Sequence, residues 1–205
     1  MTASVPTDFE LLERWRNGDQ SSGNLLFERH YTSVRRFFDL RLNRLSEDLT
    51  QRTFLACVEQ RERGPHTSFR AYLFGIARNQ MLMSLRKEKR FDRAMRFESE
   101  PTMLATSLTG VFARRRDQHL LLLALVQLPP EMLQVVQLYY WEAMSTAEIG
   151  EALELSPSAV GSRLQRARER LRTILGSMKL TDEQRAALLG NVEALTRSLT
   201  DPANA

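Results

Sequence analysis

The chain has 205 residues, a net charge of +4 and an isoelectric point near 9.6, which is enough length for two small domains with modest cores. A lone cysteine, Cys57, excludes an intrachain disulfide framework, and three scattered histidines (His30, His66, His119) offer no clustered metal-ligand spacing. The longest apolar run, Leu121 to Val126, is far short of a membrane span, and the N-terminus lacks the apolar core of a signal peptide, so the sequence reads as cytosolic and free of cofactors.

Helical spacing dominates and no β-branched alternation persists long enough for a strand, which predicts an all-α fold. The first helix is expected to start at Thr7, where TDFE offers a capping box with Glu10, and to end at Gly18. A second is expected from about Ser22 to about Asn43, with Leu26, Tyr31, Val34 and Phe38 turned inward. The third takes Ser46 as its cap and places Glu47 and Asp48 in the first turn, where the macrodipole favours acid. It should end before RERGPHTS, whose Gly64 and Pro65 mark a loop.

Ser68 can cap a fourth helix, FRAYLFGIARNQMLMSLRKEKR, whose end is densely basic through Arg86, Lys87, Lys89 and Arg90. The surplus of positive charge lies in this half: residues 1–97 carry 18 Lys and Arg against 12 Asp and Glu, whereas residues 98–205 carry 11 against 13. From 91 to about 117 the sustained apolar pattern is lost, which reads as a linker. Periodicity returns at Gln118, with helices expected at 118–127 and from Pro130 to about Glu142.

Two further helices follow in quick succession. STAEIGEAL has its own capping box, Ser145 to Glu148, and only Glu154 to Ser156 separates it from SPSAVGSRLQRARERLR. In the latter, Ser156-Pro157 is a cap followed by the residue favoured at the first helical position, and Val160, Leu164, Ala167, Leu171 and Ile174 form one apolar stripe. An Arg-rich amphipathic helix taken alone reads equally well as a solvated face. The short turn and the capped helix upstream favour a helix-turn-helix, whose second helix enters the DNA major groove by its N-terminal end. Ser158, Ala159, Ser162, Arg163, Gln165 and Arg166 lie off the stripe and carry hydroxyl, amide and guanidinium groups suited to phosphates and base edges.

Two segments together resemble one family, the extracytoplasmic-function (ECF) group of bacterial RNA polymerase sigma factors. The stretch containing EDLTQ and FGIARN is similar to their domain 2, and LVQLPPEMLQVVQLYYWEAMSTAEIGEALELSPSAVGSRLQRARERLR to their domain 4. The resemblance implies domain 2 at 7–97, a linker at 98–117 and domain 4 at 118–175; beyond the family's usual end, the spacing of Leu180, Leu188, Leu189, Val192, Leu195 and Leu199 predicts a helical extension at 176–205. The resemblance implies a protein that catalyses nothing and lends core polymerase a promoter address. Domain 4 would read the −35 element through Ser158, Ser162, Arg163, Gln165 and Arg166, and dock on the β flap. Domain 2 would capture the melted −10 strand, with its third helix (Glu47, Asp48, Gln51, Arg52) on the β′ clamp helices. A captured strand needs a basic groove and flat side chains, and Phe69, Arg70, Tyr72, Arg78 and Asn79 supply both types, the cations and the amide being stronger candidates than the two aromatics.

The chain departs from the family pattern at several points. Leu45 and Arg52 stand where an acidic cluster is usual, which predicts a weakened polymerase-docking surface. Ser46, Thr50 and Thr53 lie in that surface, and phosphorylation there would restore negative charge, making a Ser/Thr kinase one candidate regulator and an anti-sigma factor another. Ala159 and Gly161 replace commoner residues in the recognition helix, Glu154 occupies a position where glycine is common, and Met83 replaces a frequent acid. A polymerase-independent helix-turn-helix regulator and an all-helical adaptor protein are the alternatives. The first leaves EDLTQ and FGIARN unexplained, and the second leaves the turn-linked helices unexplained.

Overall fold

The computed structural model describes residues 5–60, 68–95, 114–178, 180–182 and 188. The loop at 61–67, the middle of the expected linker and most of the C-terminal extension lie outside the described residues. The chain divides into two compact units, residues 1–99 and residues 100–205, apart from Glu151–Glu154, which group with the first. Every regular element among the described residues is helical.

The first unit holds α1 (Asp8–Arg16), α2 (Gln20–Leu42), a 3-10 turn (Asn43–Leu45), α3 (Ser46–Glu59) and α4 (Phe69–Met95). The capping box at the start of α1 is formed: the Glu10 amide donates to the Thr7 hydroxyl at 3.3 Å, and the Thr7 amide donates to the Glu10 carboxylate at 2.7 Å. Gly18, at φ 99°, turns the chain, and Asp19 then caps α2 by accepting the Ser21 and Ser22 amides and the Ser22 hydroxyl. That cap starts α2 two residues ahead of the expected Ser22.

Leu11, Leu12 and Trp15 are the buried face of α1. Trp15 crosses α2 at Gly23, where a Cβ would stand 2.5 Å from the indole, so only glycine admits this contact. The indole meets Phe27 edge-on at 5.1 Å between centroids, and Phe27 in turn meets Phe54 of α3 at 4.9 Å. Leu26, Val34 and Phe38 face inward as their spacing predicts. Tyr31 does not: it is 37% exposed, and the inward position of that turn belongs to His30, at 6%. The Asp8 carboxylate makes this burial possible, meeting His30 Nε2 at 2.7 Å and accepting from Arg29 at 2.6 Å.

Two boundaries differ from expectation. Ser46 does not cap α3. The 3-10 turn delivers Leu45 in a helical conformation (φ −111°, ψ −3°), so α3 starts without an extended cap residue and Ser46 is buried in its first turn. α4 continues to Met95, five residues past Arg90, because FDRAM contains good helix formers although it lacks apolar rhythm.

The second unit holds α5 (Arg114–Leu125), α6 (Pro130–Tyr140), α7 (Thr146–Leu153) and α8 (Pro157–Ser177). α5 starts ahead of Gln118 for the same reason, since RRRD carries helix propensity without an apolar signal. Val160, Leu164, Ala167, Leu171 and Ile174 are all buried, confirming the stripe on α8, which packs on α5 and α6. Each such Leu or Ile contributes about 1.5–3 kcal/mol. The far half of α8 is also tied to α6 by a hydrogen bond from Arg168 Nε to the Tyr140 hydroxyl at 2.8 Å, with the guanidinium 5.8 Å from that ring's centroid.

Candidate nucleic-acid interface

The turn between α7 and α8 is built from its capping groups inward. At the start of α7 the Ser145 hydroxyl accepts from the Glu148 amide at 3.2 Å, while the Glu148 carboxylate accepts from the Ser145 amide at 2.9 Å. At the downstream end of the turn the Ser156 hydroxyl accepts from the Ala159 amide at 3.2 Å, with Pro157 following as the first helical residue. Between them Glu154 adopts φ 56°, the left-handed conformation that explains why glycine is common there. The Leu155 amide donates to the Gly150 carbonyl at 2.8 Å, and a Cβ on Gly150 would stand 2.6 Å from the Leu155 carbonyl oxygen.

This turn presents the first half of α8 outward. Ser158, Ser162, Gln165 and Arg166 are exposed on the side opposite the buried stripe. Arg163 is half-buried at the flank of that stripe and is not on the same face. Gln165 Nε2 donates to Glu169 at 3.2 Å, which orients the amide, and Arg166 Nε donates to the Ser162 carbonyl at 3.3 Å, which leaves its terminal nitrogens for a partner outside the helix. A Cβ on Gly161 would meet nothing within 4 Å, so close packing within the unit does not require glycine at this point.

In the first unit the five residues expected at the −10 element separate. Phe69 is 4% exposed and lies 5.5 Å from the His30 ring, so it is core and offers no face to a base. This corrects its assignment as a stacking residue: aromatic spacing at a helix start signals burial as readily as stacking. Tyr72 is half-buried and its hydroxyl lies 3.5 Å from Gln60 Oε1; burial raises its phenol above the ordinary value, the nearby Cys57 adds to this, and Arg16 partly offsets it. Arg70 and Arg78 are half-buried, and Asn79 is exposed with its side-chain oxygen 3.5 Å from Arg78.

The helical repeat aligns Tyr72, Ile76, Asn79, Met83 and Arg86 along one side of α4, while Arg70 and Arg78 lie on other sides. Met83 is 63% exposed on this stripe, between Asn79 and Arg86. The sequence signal that singles it out is an apolar residue in place of an acid on a basic helix.

On α3, Glu47, Asp48, Gln51 and Arg52 are all exposed. Asp48 and Arg52 bind each other, with Arg52 Nε 3.0 Å from Oδ1 and a terminal nitrogen 3.0 Å from Oδ2. Ser46, Thr50 and Thr53 are buried, and the two threonine hydroxyls donate to the carbonyls of Ser46 and Leu49 at 2.6 and 2.7 Å. Hydroxyls held in this way are not accessible to a kinase acting on the folded unit, which counts against their reading as surface phosphate acceptors. Cys57 is likewise buried, its thiol pushed up to about 12 by desolvation.

A capped helix-turn-helix with a polar outward face, in a chain with a separate basic helical unit, defines a DNA-binding protein of two helical domains. Comparison with known proteins resolves the class further. The family described as Sigma-70 region 2 matches residues 26–91, and Sigma-70, region 4, matches residues 118–171. The chain is 36% identical over 174 residues to the RNA polymerase sigma factor CarQ of Myxococcus xanthus, covering 82% of this chain and 98% of that protein. It is 31% identical to the ECF RNA polymerase sigma factor SigL of Mycobacterium tuberculosis, over 66% of this chain and 77% of that one.

Among solved structures, CnrH in complex with the cytosolic domain of CnrY shares the fold at a TM-score of 0.61 and 24% identity, over 83% of this chain and 97% of that one. The sigma factor RpoE bound to the anti-sigma factor NepR from Bartonella quintana shares it at 0.64 and 21%, over 76% and 98%. The chain belongs to the ECF subfamily of the sigma-70 family of RNA polymerase sigma factors. It is an alternative sigma factor that directs transcription initiation with RNA polymerase on promoter DNA, and it is not itself an enzyme. No helix among the described residues is long and apolar enough to cross a membrane.

Proposed function

We propose that the two units divide promoter recognition between them. Residues 7–97 dock on the β′ clamp helices through α3 and hold the melted −10 strand along α4; residues 118–175 dock on the β flap and read the −35 duplex through α8. The observation that carries this reading is the outward face of Ser158, Ser162, Gln165 and Arg166 on a helix whose opposite face is the core of its unit. Hydroxyl, amide and guanidinium groups at these positions match the donor and acceptor pattern of major-groove edges and flanking phosphates.

For the −10 strand the supporting feature is the α4 stripe, where Asn79 offers an amide to a base edge, Arg86 a cation to the backbone, and Tyr72 the edge of a partly exposed ring. Arg70 and Arg78 contribute charge from the sides of the helix. The protein acts in the cytoplasm, where polymerase and chromosome are.

Regulation by an anti-sigma factor fits better than regulation at Ser46, Thr50 or Thr53. The RpoE relative is bound to such a factor, whereas the three hydroxyls are buried here and a kinase could reach them only if α3 opened. The test is run-off transcription with purified core polymerase and the full chain on a library of promoter sequences. Transcripts that depend on both proteins, and lose that dependence when either element is randomised, support the division. Tight operator binding without polymerase, and no transcript with it, would favour a polymerase-independent regulator.

A further inference from the structure

A glycine in the interior of a helix costs stability relative to alanine, so each one asks for a local reason. Gly23 and Gly150 have theirs inside the chain: a Cβ would stand 2.5 Å from the Trp15 indole in the first case and 2.6 Å from the Leu155 carbonyl oxygen in the second. Gly161 has neither kind of neighbour. It lies one turn into α8 with a helical backbone outside the left-handed region, and a Cβ on it would meet no atom of the chain within 4 Å.

Its position on the helix points to a reason outside the chain. Gly161 is exposed, and at 3.6 residues per turn Ser158, Ser162 and Gln165 form one row opposite the buried stripe. Gly161 and Arg166 flank that row, about 70° to either side. A helix with its side chains is about 10–12 Å across and the major groove is about 12 Å wide, so a helix whose central row faces base edges has a sugar-phosphate wall close on each flank. On one flank Arg166 reaches out with a guanidinium; on the other Gly161 has no side chain to interpose. The row itself is short at this end, since Ser158 and Ser162 extend no further than a hydroxyl, and such groups touch a base edge only when the helix is seated deeply.

We infer that Gly161 is the point where the backbone of α8 lies against a sugar-phosphate wall of the −35 major groove, and that its missing Cβ sets how deeply the helix is seated. The inference rests on the reading of α8 as the −35 helix and deepens it: Gly161 is a positioning residue, and the Ser158 and Ser162 hydroxyls are the contacts it brings within reach. The stability that glycine costs inside α8 is thus offset in the complex with DNA and not in the free chain.

The test uses the full chain with core polymerase, on a promoter selected from the run-off library and on the same promoter with its −35 element randomised. Gly161→Ala should shift the folding equilibrium of the second unit about two- to fivefold toward the folded state, because a helix interior favours alanine. It should nevertheless weaken binding to the selected promoter about tenfold, the effect of an added carbon at a close contact. Gly161→Lys separates close approach from a mere gap. With room beside the helix, the added cation would reach a phosphate and strengthen binding; against a wall it should weaken binding at every salt concentration, which is the outcome expected. Gly176→Ala, fifteen residues further along α8 and equally free of neighbours, should bind the promoter as the parent does. Gly161→Ala that binds as tightly as the parent, or that loses stability along with binding, overturns the inference, as does tighter binding by Gly161→Lys or a like loss from Gly176→Ala. A parent complex that binds both promoters equally well overturns the reading of α8 instead.

Discussion

The Leu155 amide donates to the Gly150 carbonyl at 2.8 Å, and this bond closes the turn that aims α8 outward. Gly150 is the side of that bond with no spare volume, since its Cβ would be placed 2.6 Å from the Leu155 oxygen, a backbone atom that cannot rotate away. Gly150→Ala should therefore destabilise the second unit by about 1–3 kcal/mol, the usual range for forced overpacking. Chemical denaturation of the full chain checks this, and −35 binding should fall with it. Unchanged stability would mean that the turn relaxes at no cost.

Arg166→Ala should weaken binding of a polymerase complex to its −35 element by about 1–3 kcal/mol, the range for an arginine that reads a base edge or a flanking phosphate. The two cases separate on salt. A phosphate contact lowers the slope of log affinity against log salt by about one and weakens all sequences alike, whereas a base contact relaxes the preference at one position. Arg163→Ala, at the half-buried flank, should change promoter preference less than Arg166→Ala. The reverse order would place the reading face on the other side of α8.

A glutamate at Thr53 places a carboxylate where a hydroxyl now donates to Leu49 at 2.7 Å with no exposed surface. An uncompensated buried charge costs about 3–5 kcal/mol, so Thr53→Glu should lower the melting temperature of the first unit rather than strengthen polymerase binding. Thr50→Glu should behave in the same way. Variants that fold normally and bind core polymerase more tightly would restore the idea of a phosphate switch on α3.

Asp8 joins α1 to α2 through His30 and Arg29. Burial pushes its carboxyl up, but the hydrogen bonds and charges of His30 and Arg29 outweigh this and hold it below the ordinary value of 3.8. A depressed carboxyl contributes its stability in full above the unfolded value and loses it as pH falls through the lower folded one. Asp8→Asn should thus destabilise the first unit by about 1–3 kcal/mol at neutral pH, because His30 and Arg29 lose a charged acceptor. The deficit should shrink only below the ordinary carboxyl value. Calorimetric unfolding of both chains from neutral to strongly acidic pH measures it, and a difference that vanishes well above that value would assign the effect to another group.

Features that depend on a few neighbouring residues were legible in the sequence. The caps at Thr7, Ser68, Ser145 and Ser156 and the stripe from Val160 to Ile174 follow from local hydrogen-bond chemistry and helical phase. What was not legible depended on partners distant in the chain or on geometry before a helix. His30 took the inward position expected of Tyr31 because Asp8, 22 residues away, satisfies its ring. Ser46 lost its capping role to the 3-10 turn that precedes it, and Phe69 proved to be core because His30 lies beside it. On α8 helical phase already separated the outward residues from the buried stripe, whereas on α4 the replacement of an acid by Met83 was visible but its exposure between Asn79 and Arg86 was not.

The bond between Arg168 and Tyr140 gives α8 the properties of a lever. Ser158 lies ten residues before Arg168, about 15 Å along the axis at 1.5 Å per residue. Pivoting α8 at that anchor by about 5° would carry the reading tip sideways by about 1.3 Å, a large part of a hydrogen-bond length. On the proposed reading of α8, promoter selection would respond to a tyrosine hydroxyl about 15 Å along the helix from Ser158, and changes around Tyr140 would retune sequence preference without altering any residue of the reading face.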